Sequence, residues 1–360
     1  MNSDLLTPPP TEPNAATHGR ILQFDGLRAL AFLSVFVNHA THLPLLWAGV
    51  DVFFVLSGFL ITGILLERKR LGEAYFSYFY RRRIVRILPA YLLAIVLHGV
   101  LITWSQYKPL WLFILAPNYQ GLLPNGPGLL PLWSLAVEEQ FYFVWPFVVL
   151  LTTEKTLLRI ALGALVVVPI LRMVCTPFVP NMFYIYVLTP FRADLLCAGA
   201  ALTLLWKRRD AGIVAAVRRW AWLVCLGGFF LFAGTQAFPA FRLAHNTPLA
   251  NGFVYLFSLI GGTGLLAWVL SDTGWLRRLL TLAPLRYLGE ISYTMYLVHV
   301  VILIRLELRF GLHPWVEVLA FAAIVLYATI SWFLMERPLI RLAARWPRRT
   351  FAVPQSLPQG

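Results

Sequence analysis

The residues that could do chemistry begin in FDGLRALAFLSVFVNHATH, where ten residues separate Arg28 from His39, with Asp25 and His42 outside them. On an α-helix each residue advances about 100°, so counted from Arg28, His39 lies at about +20°, Asp25 at about +60° and His42 at about −40°. The four share one polar stripe on an otherwise apolar segment. Ionisable groups at membrane depth cost roughly 2.5–3.5 kcal/mol each, so they face a bundle interior and usually have a task. Histidine takes a proton from a hydroxyl near neutral pH, which suits a general base in acyl transfer. A histidine merely hydrogen-bonded within a polar seam fits the same pattern.

Three further groups stand out. In YFSYFYRRRIVRILPAY, Arg81, Arg82, Arg83 and Arg86 are interleaved with Tyr78, Phe79, Tyr80 and Tyr91. Guanidinium forks match phosphate geometry and aromatic rings stack on bases, so the run suits a nucleotide-phosphate ligand. It also suits plain topology signalling and contact with anionic lipid. In PLWSLAVEEQFYFVWP, Ser134 and Glu138 are four apart on one helix face, with Gln140 and Tyr142 nearby. In GEISYTMYLVHVV, Ser292, Tyr296 and His299 again share a face, for packing, hydrogen bonding or chemistry. Arg192 and Asp194 are two apart and do not face each other. Walker, Rossmann and Gly-x-Ser-x-Gly patterns are missing from the sequence, and Cys175, Cys197 and Cys225 have neither disulfide nor metal-ligand spacing, so no metal is expected.

The elements that must position these groups are membrane helices. Of the 360 residues 59% are hydrophobic and 13% charged, and the mean hydropathy is +0.72, whereas soluble domains carry about 25% charged residues. Ten apolar spans of membrane-crossing length read as 24–43, 47–66, 87–104, 132–151, 157–175, 184–206, 219–237, 250–271, 286–306 and 313–335. The stretch 109–130, broken by Pro and Gly, reads as re-entrant or interfacial. The Pro-rich residues 1–22 read as a disordered cytoplasmic tail, 23–341 as the transmembrane domain and 342–360 as a basic tail. The expected fold is all-α and polytopic, about ten helices around a polar pore.

Orientation follows from Lys and Arg. With the N-terminus inside, 22 of the 30 fall in cytoplasmic segments and only Lys108, Arg242 and Arg309 in outer loops, so both termini are expected to be cytoplasmic. The same bias accounts for the net charge of +14 without nucleic acid. His39, about 16 Å along the helix from Arg28, then falls in the outer half of the membrane, and Asp25, roughly 21 Å away, is out of its reach.

Taken together, these pieces resemble the membrane acyltransferase-3 family, which O-acylates surface and exported glycans and some small molecules. FDGLRALAFLSVFVNHA, GVDVFFVLSGFLIT, RRRIVRILPAY, LWSLAVEEQFYFVWP, SYTMYLVH and MERPLIRL occur in the family's order between Phe24 and Arg341. The resemblance implies that His39 is the essential histidine and Arg28 its paired basic residue. It implies that Arg83 and Arg86, supported by Arg82 and Tyr80, receive the head group of acetyl-CoA or another acyl-CoA. Glu138 would act near the reacting centre, with Asp25, Ser134, Ser292, Tyr296 and His299 lining the pore. A carbohydrate or other hydroxyl acceptor, the lipid bilayer and a bacterial inner membrane complete the expectation. Some members add an extracytoplasmic hydrolase-like domain; this chain ends about 25 residues after the tenth span, so that domain is expected to be absent and its help to come from another protein. A glycan or small-molecule transporter would also use a polar seam, but paired broken helices in corresponding halves are not evident.

Overall fold

The computed structural model describes residues 21–43, 45–72, 74–101, 118, 131–208 and 210–344. The stretch 109–130 and most of the two tails lie outside these residues, Asn118 excepted. The described chain is helical: α1 (Gln23–Thr41), α2 (Ala48–Leu71), α3 (Tyr75–Leu101), α4 (Leu132–Leu151), α5 (Glu154–Cys175), the short α6 (Met182–Val187), α7 (Ala193–Lys207), α8 (Ala211–Gly234), α9 (Pro248–Ser271), the short α10 (Trp275–Leu280), α11 (Ala283–Phe310), α12 (Pro314–Ser331) and α13 (Arg337–Ala344). Among the described residues eight helices are long and apolar enough to cross a membrane. Large side chains such as Phe143, Val166, Phe230 and Leu326 face outward, as a lipid-facing surface requires. The protein is an all-α polytopic membrane protein.

Several spans differ from the sequence reading, among them the expected 219–237, where α8 starts already at Ala211. Helix α2 continues past residue 66 to Leu71, because Glu67–Leu71 are good helix formers, and it ends where Gly72 adopts φ +67°. Helix α3 begins at Tyr75, so Arg81–Arg86 lie on its first turns rather than in a loop; no breaker intervenes before Pro89. The expected span 184–206 is not continuous. It divides into α6, a 3₁₀ turn at Thr189–Phe191 containing Pro190, and the 15-residue α7. At the other end of the chain, α12 passes into a π-helical turn, Trp332–Glu336, just before Pro338. Proline lacks the N–H of the regular ladder and crowds the carbonyl four residues earlier, which accounts for the widened turn. Glu336, 3% exposed, accepts hydrogen bonds there from Thr294 at 2.7 Å and Ser331 at 2.9 Å, tying α11 to α12.

Two large apolar cores and two smaller ones form among the described residues; the large ones shape the bundle. One joins α2, α4, α7 and α9 through residues such as Phe54, Val137, Leu196 and Leu259. The other joins α1, α3, α11 and α12 through Phe32, Tyr91, Met295 and Ile324. Phe53 and Tyr296 touch both. The backbones come close where side chains are missing: a Cβ at Gly289 would fall 1.8 Å from the Asp25 carbonyl oxygen, and one at Gly58 would fall 1.9 Å from that of Leu196. Gly289 thus sets how closely α11 approaches the polar stripe of α1. Gly289→Val should destabilise the protein by about 1–3 kcal/mol, the usual cost of overpacking, whereas Gly163→Ala, whose Cβ meets nothing within 4 Å, should not; thermal unfolding in detergent distinguishes them.

Candidate functional site

A cavity of about 410 Å³ lies at the junction of the two cores. It is lined by Arg28 of α1 and by Arg82, Arg83 and Arg86 of α3. It is lined as well by Ser134 and Glu138 of α4 and by Ser292 and Tyr296 of α11. Eight residues singled out by spacing, from four helices, therefore share one wall. The i, i+3 and i, i+4 relations that put Arg83 with Arg86 and Ser134 with Glu138 hold because α3 and α4 are regular at these positions.

Aromatic rings hold the arginines in place. The Arg83 guanidinium lies 3.4 Å from the centroid of the Tyr142 ring, with its Nε 4.0 Å from Glu139. Arg82 donates to the Tyr78 hydroxyl, and Arg68 covers the Tyr78 ring at 3.4 Å. Such stacking keeps a charged head defined while its N–H groups stay open to an anion. Arg28 pairs with buried Asp25 at 3.5 Å within α1, so Asp25 sits behind the cavity wall rather than on it. Tyr80 is also off the wall, its hydroxyl donating to the carbonyls of Tyr142 at 3.4 Å and Phe143 at 3.3 Å.

Hydroxyls line the same cavity. Tyr142 donates to Glu138 at 2.9 Å and is hydrogen-bonded to Ser57. The Ser134 hydroxyl meets that of Tyr296 at 2.6 Å and reaches the Pro131 carbonyl at 2.9 Å. Beyond Tyr296 lie two histidines. His39, in the last turn of α1, and His299 of α11 have ring centroids 5.0 Å apart. His299 Nδ1 is 2.7 Å from the Tyr296 carbonyl, His39 Nδ1 is 2.9 Å from the Val35 carbonyl, and His299 Nε2 is 3.4 Å from His39 Nδ1. Neither histidine lines the cavity itself; the Tyr296 ring, on the cavity wall, lies 5.3 Å from that of His299. Arg28 and His39 thus occupy opposite ends of α1, one with the arginine cluster and one with His299.

Sequence spacing missed several of these partners. Ser57 lies within GVDVFFVLSGFLIT but its spacing singles it out for no partner, and the link between His39 and His299 joins residues 260 apart. The same holds for a second polar cluster. Arg192, fully buried, bonds to Asp51 across 141 residues and sits among the rings of Trp47, Phe54, Tyr186 and Tyr255. Arg172 bonds to the Phe191 carbonyl at 2.7 Å and pairs with Asp194 at 2.8 Å. Gln140 accepts from Thr189 and donates to Asn118 at 3.1 Å. Together these tie α2, α4 and α5 to the break before α7. Arg192 and Asp194 indeed do not face each other; each has a partner on another helix.

The sequence pattern of the acyltransferase domain matches residues 21–337, and so takes in every residue of the cavity wall except Ile340. The chain belongs to that family. It is 31% identical over 348 residues to the peptidoglycan O-acetyltransferase OatA of Listeria monocytogenes, covering 88% of this chain and 55% of the relative. It is 31% identical over 370 residues to YrhL of Bacillus subtilis, covering 93% and 57% respectively. It is 27% identical over 354 residues to the O-acetyltransferase OatA of Staphylococcus aureus, covering 88% and 56%. The chain spans a little over half the length of these curated relatives. No solved structure matches it.

The buried ion pairs give a prediction of their own. Arg192→Leu leaves the Asp51 carboxylate buried without its cation and should destabilise the protein by about 3–5 kcal/mol; replacing Asp51 by Leu as well should restore much of the loss. Unfolding of the single and double variants in detergent measures both.

Proposed function

We propose that this chain is a membrane O-acetyltransferase that moves an acetyl group from a cytoplasmic acyl-CoA to a hydroxyl of a surface glycan, with His39 as general base. The observation that carries the reading is the shared cavity: four arginines line it together with Ser134, Glu138, Tyr142 and Tyr296, and Tyr296 adjoins the histidine pair. Family membership supports acyl transfer as the chemistry. The two OatA relatives are named as O-acetyltransferases, the Listeria protein for peptidoglycan, which supports a glycan acceptor of that class. The excess of cations in the segments at the arginine end supports a cytoplasmic donor and a bacterial inner membrane.

In this reading Arg83 and Arg86, with Arg28 and Arg82 beside them, hold the donor's phosphates, and the rings of Tyr78 and Phe79 border its nucleoside. The thioester carbonyl is presented toward Ser134 and Tyr296, whose hydroxyls can donate to its oxygen as negative charge develops. An acceptor hydroxyl approaches from the side of the histidines. His39 removes its proton as the oxygen bonds to the carbonyl carbon; the C–S bond then breaks and the imidazolium returns the proton to the departing thiolate. Residues 23–341 form the unit that does this, with Tyr296 joining the cavity wall to His299.

The test is covalent transfer. Purified protein incubated with labelled acetyl-CoA and solubilised peptidoglycan glycan strands should place label on the glycan, and movement of glycan across vesicles without labelling would identify a transporter instead. His39→Ala should abolish transfer while inserting normally in the membrane; retained transfer would sink its role as base. Arg83→Ala and Arg86→Ala should each raise KM for acetyl-CoA about tenfold or more, the loss of one charge-assisted contact, with a smaller change in kcat.

A further inference from the structure

His299 has so far only a place beside His39, and the hydrogen-bond geometry gives it a task. A carbonyl oxygen can only accept, so the Nδ1 of each histidine, facing Tyr296 O at 2.7 Å and Val35 O at 2.9 Å, carries the proton. Each Nε2 is then a lone pair. That of His299 faces His39 Nδ1 at 3.4 Å, where the His39 N–H is shared between it and the Val35 carbonyl. The Nε2 of His39 remains as the nitrogen able to take a proton.

We propose that His299 is the positioning residue of His39: its Nε2 accepts the His39 Nδ1–H, fixing the tautomer and the ring orientation that leave His39 Nε2 directed at the acceptor hydroxyl. This rests on the reading of His39 as general base. Catalytic bases are characteristically oriented by a third group that accepts from their other nitrogen. A carboxylate fills that part in many soluble enzymes, but an ionised carboxylate within an apolar bundle is costly. A neutral imidazole accepts the same hydrogen bond without adding a charge. Its own orientation is fixed in turn: His299 is fully buried, edge-on to Phe32 of α1 at 5.7 Å and beside the Tyr296 ring at 5.3 Å. Because Tyr296 lines the donor cavity and its carbonyl holds His299, one turn of α11 links the cavity wall to the base. When His39 takes up a proton, its Nδ1–H becomes the stronger donor, and the waiting lone pair of His299 stabilises the imidazolium as it forms.

The experiment compares His299→Phe, which keeps a ring but removes the acceptor, with His299→Gln, whose amide oxygen can accept in place of Nε2; His299→Met replaces the Phe variant if that one does not fold. All are measured with labelled acetyl-CoA and peptidoglycan glycan strands beside His39→Ala, and thermal unfolding in detergent is recorded for each. The expected result is a fall in kcat of about tenfold to a hundredfold for His299→Phe with KM for acetyl-CoA unchanged, and recovery to within about threefold of wild type for His299→Gln. Inactive His39→Ala together with wild-type turnover in His299→Phe overturns the positioning role and leaves the base intact. Equal impairment of folded Phe and Gln variants also overturns it. Activity in His39→Ala overturns the base itself, and the positioning role with it.

Discussion

A charged side chain inside an apolar bundle has to find its counter-group on another helix, and the whole arrangement depends on this constraint. Asp51 on α2 and Arg192 before α7 meet with both side chains fully buried, and Arg172 meets Asp194 in the same way. Aromatic rings from α2, α6 and α9 surround the Arg192 guanidinium. These contacts hold the chain where helix is interrupted at residues 188–192, since the unpaired backbone of a break is tolerated at membrane depth only when it is buried in protein. Breaking one pair would leave a charge that neither lipid nor apolar side chains can solvate.

With one half of the bundle fixed in this way, the cavity forms at its seam with the other half. Phe53 and Tyr296 belong to both cores, and the polar groups of α1, α3, α4 and α11 turn toward the space between them. The positions without side chains matter as much as those with them. Gly289 lets α11 come against the backbone of Asp25, which sets α11 against the whole polar face of α1. The contact between His39 and His299, 14 residues further along α1 from Asp25, depends on that same helix pair running closely together.

Much of the site was legible beforehand because helical spacing is a local property. Arg83 with Arg86, Ser134 with Glu138, and Ser292 with Tyr296 follow from counting residues, and all of them share the cavity wall. Counting fails where the relevant geometry is set by another helix. Asp25 and His299 lie on the correct faces of their helices but behind or beyond the wall, because a neighbouring backbone or ring occupies the space in front of them. The break in the expected span 184–206 was obscured because its residues are apolar enough to cross a membrane. Only the partners of Arg172 and Arg192 show why the chain turns there.

The sequence by itself determined that the protein is a membrane bundle of helices, which faces of those helices are polar, and which residue types those faces carry. Composition and a 3.6-residue period suffice for that, since both act within one helix. The tertiary structure decided which polar faces meet. It set Arg28 with the arginines of α3 rather than with His39, gave His39 a second histidine as its neighbour, and put Tyr296 on the cavity wall beside that histidine. These are contacts between residues far apart in the chain, fixed by how closely helices approach and by the need to pair buried charge, and no local pattern encodes either.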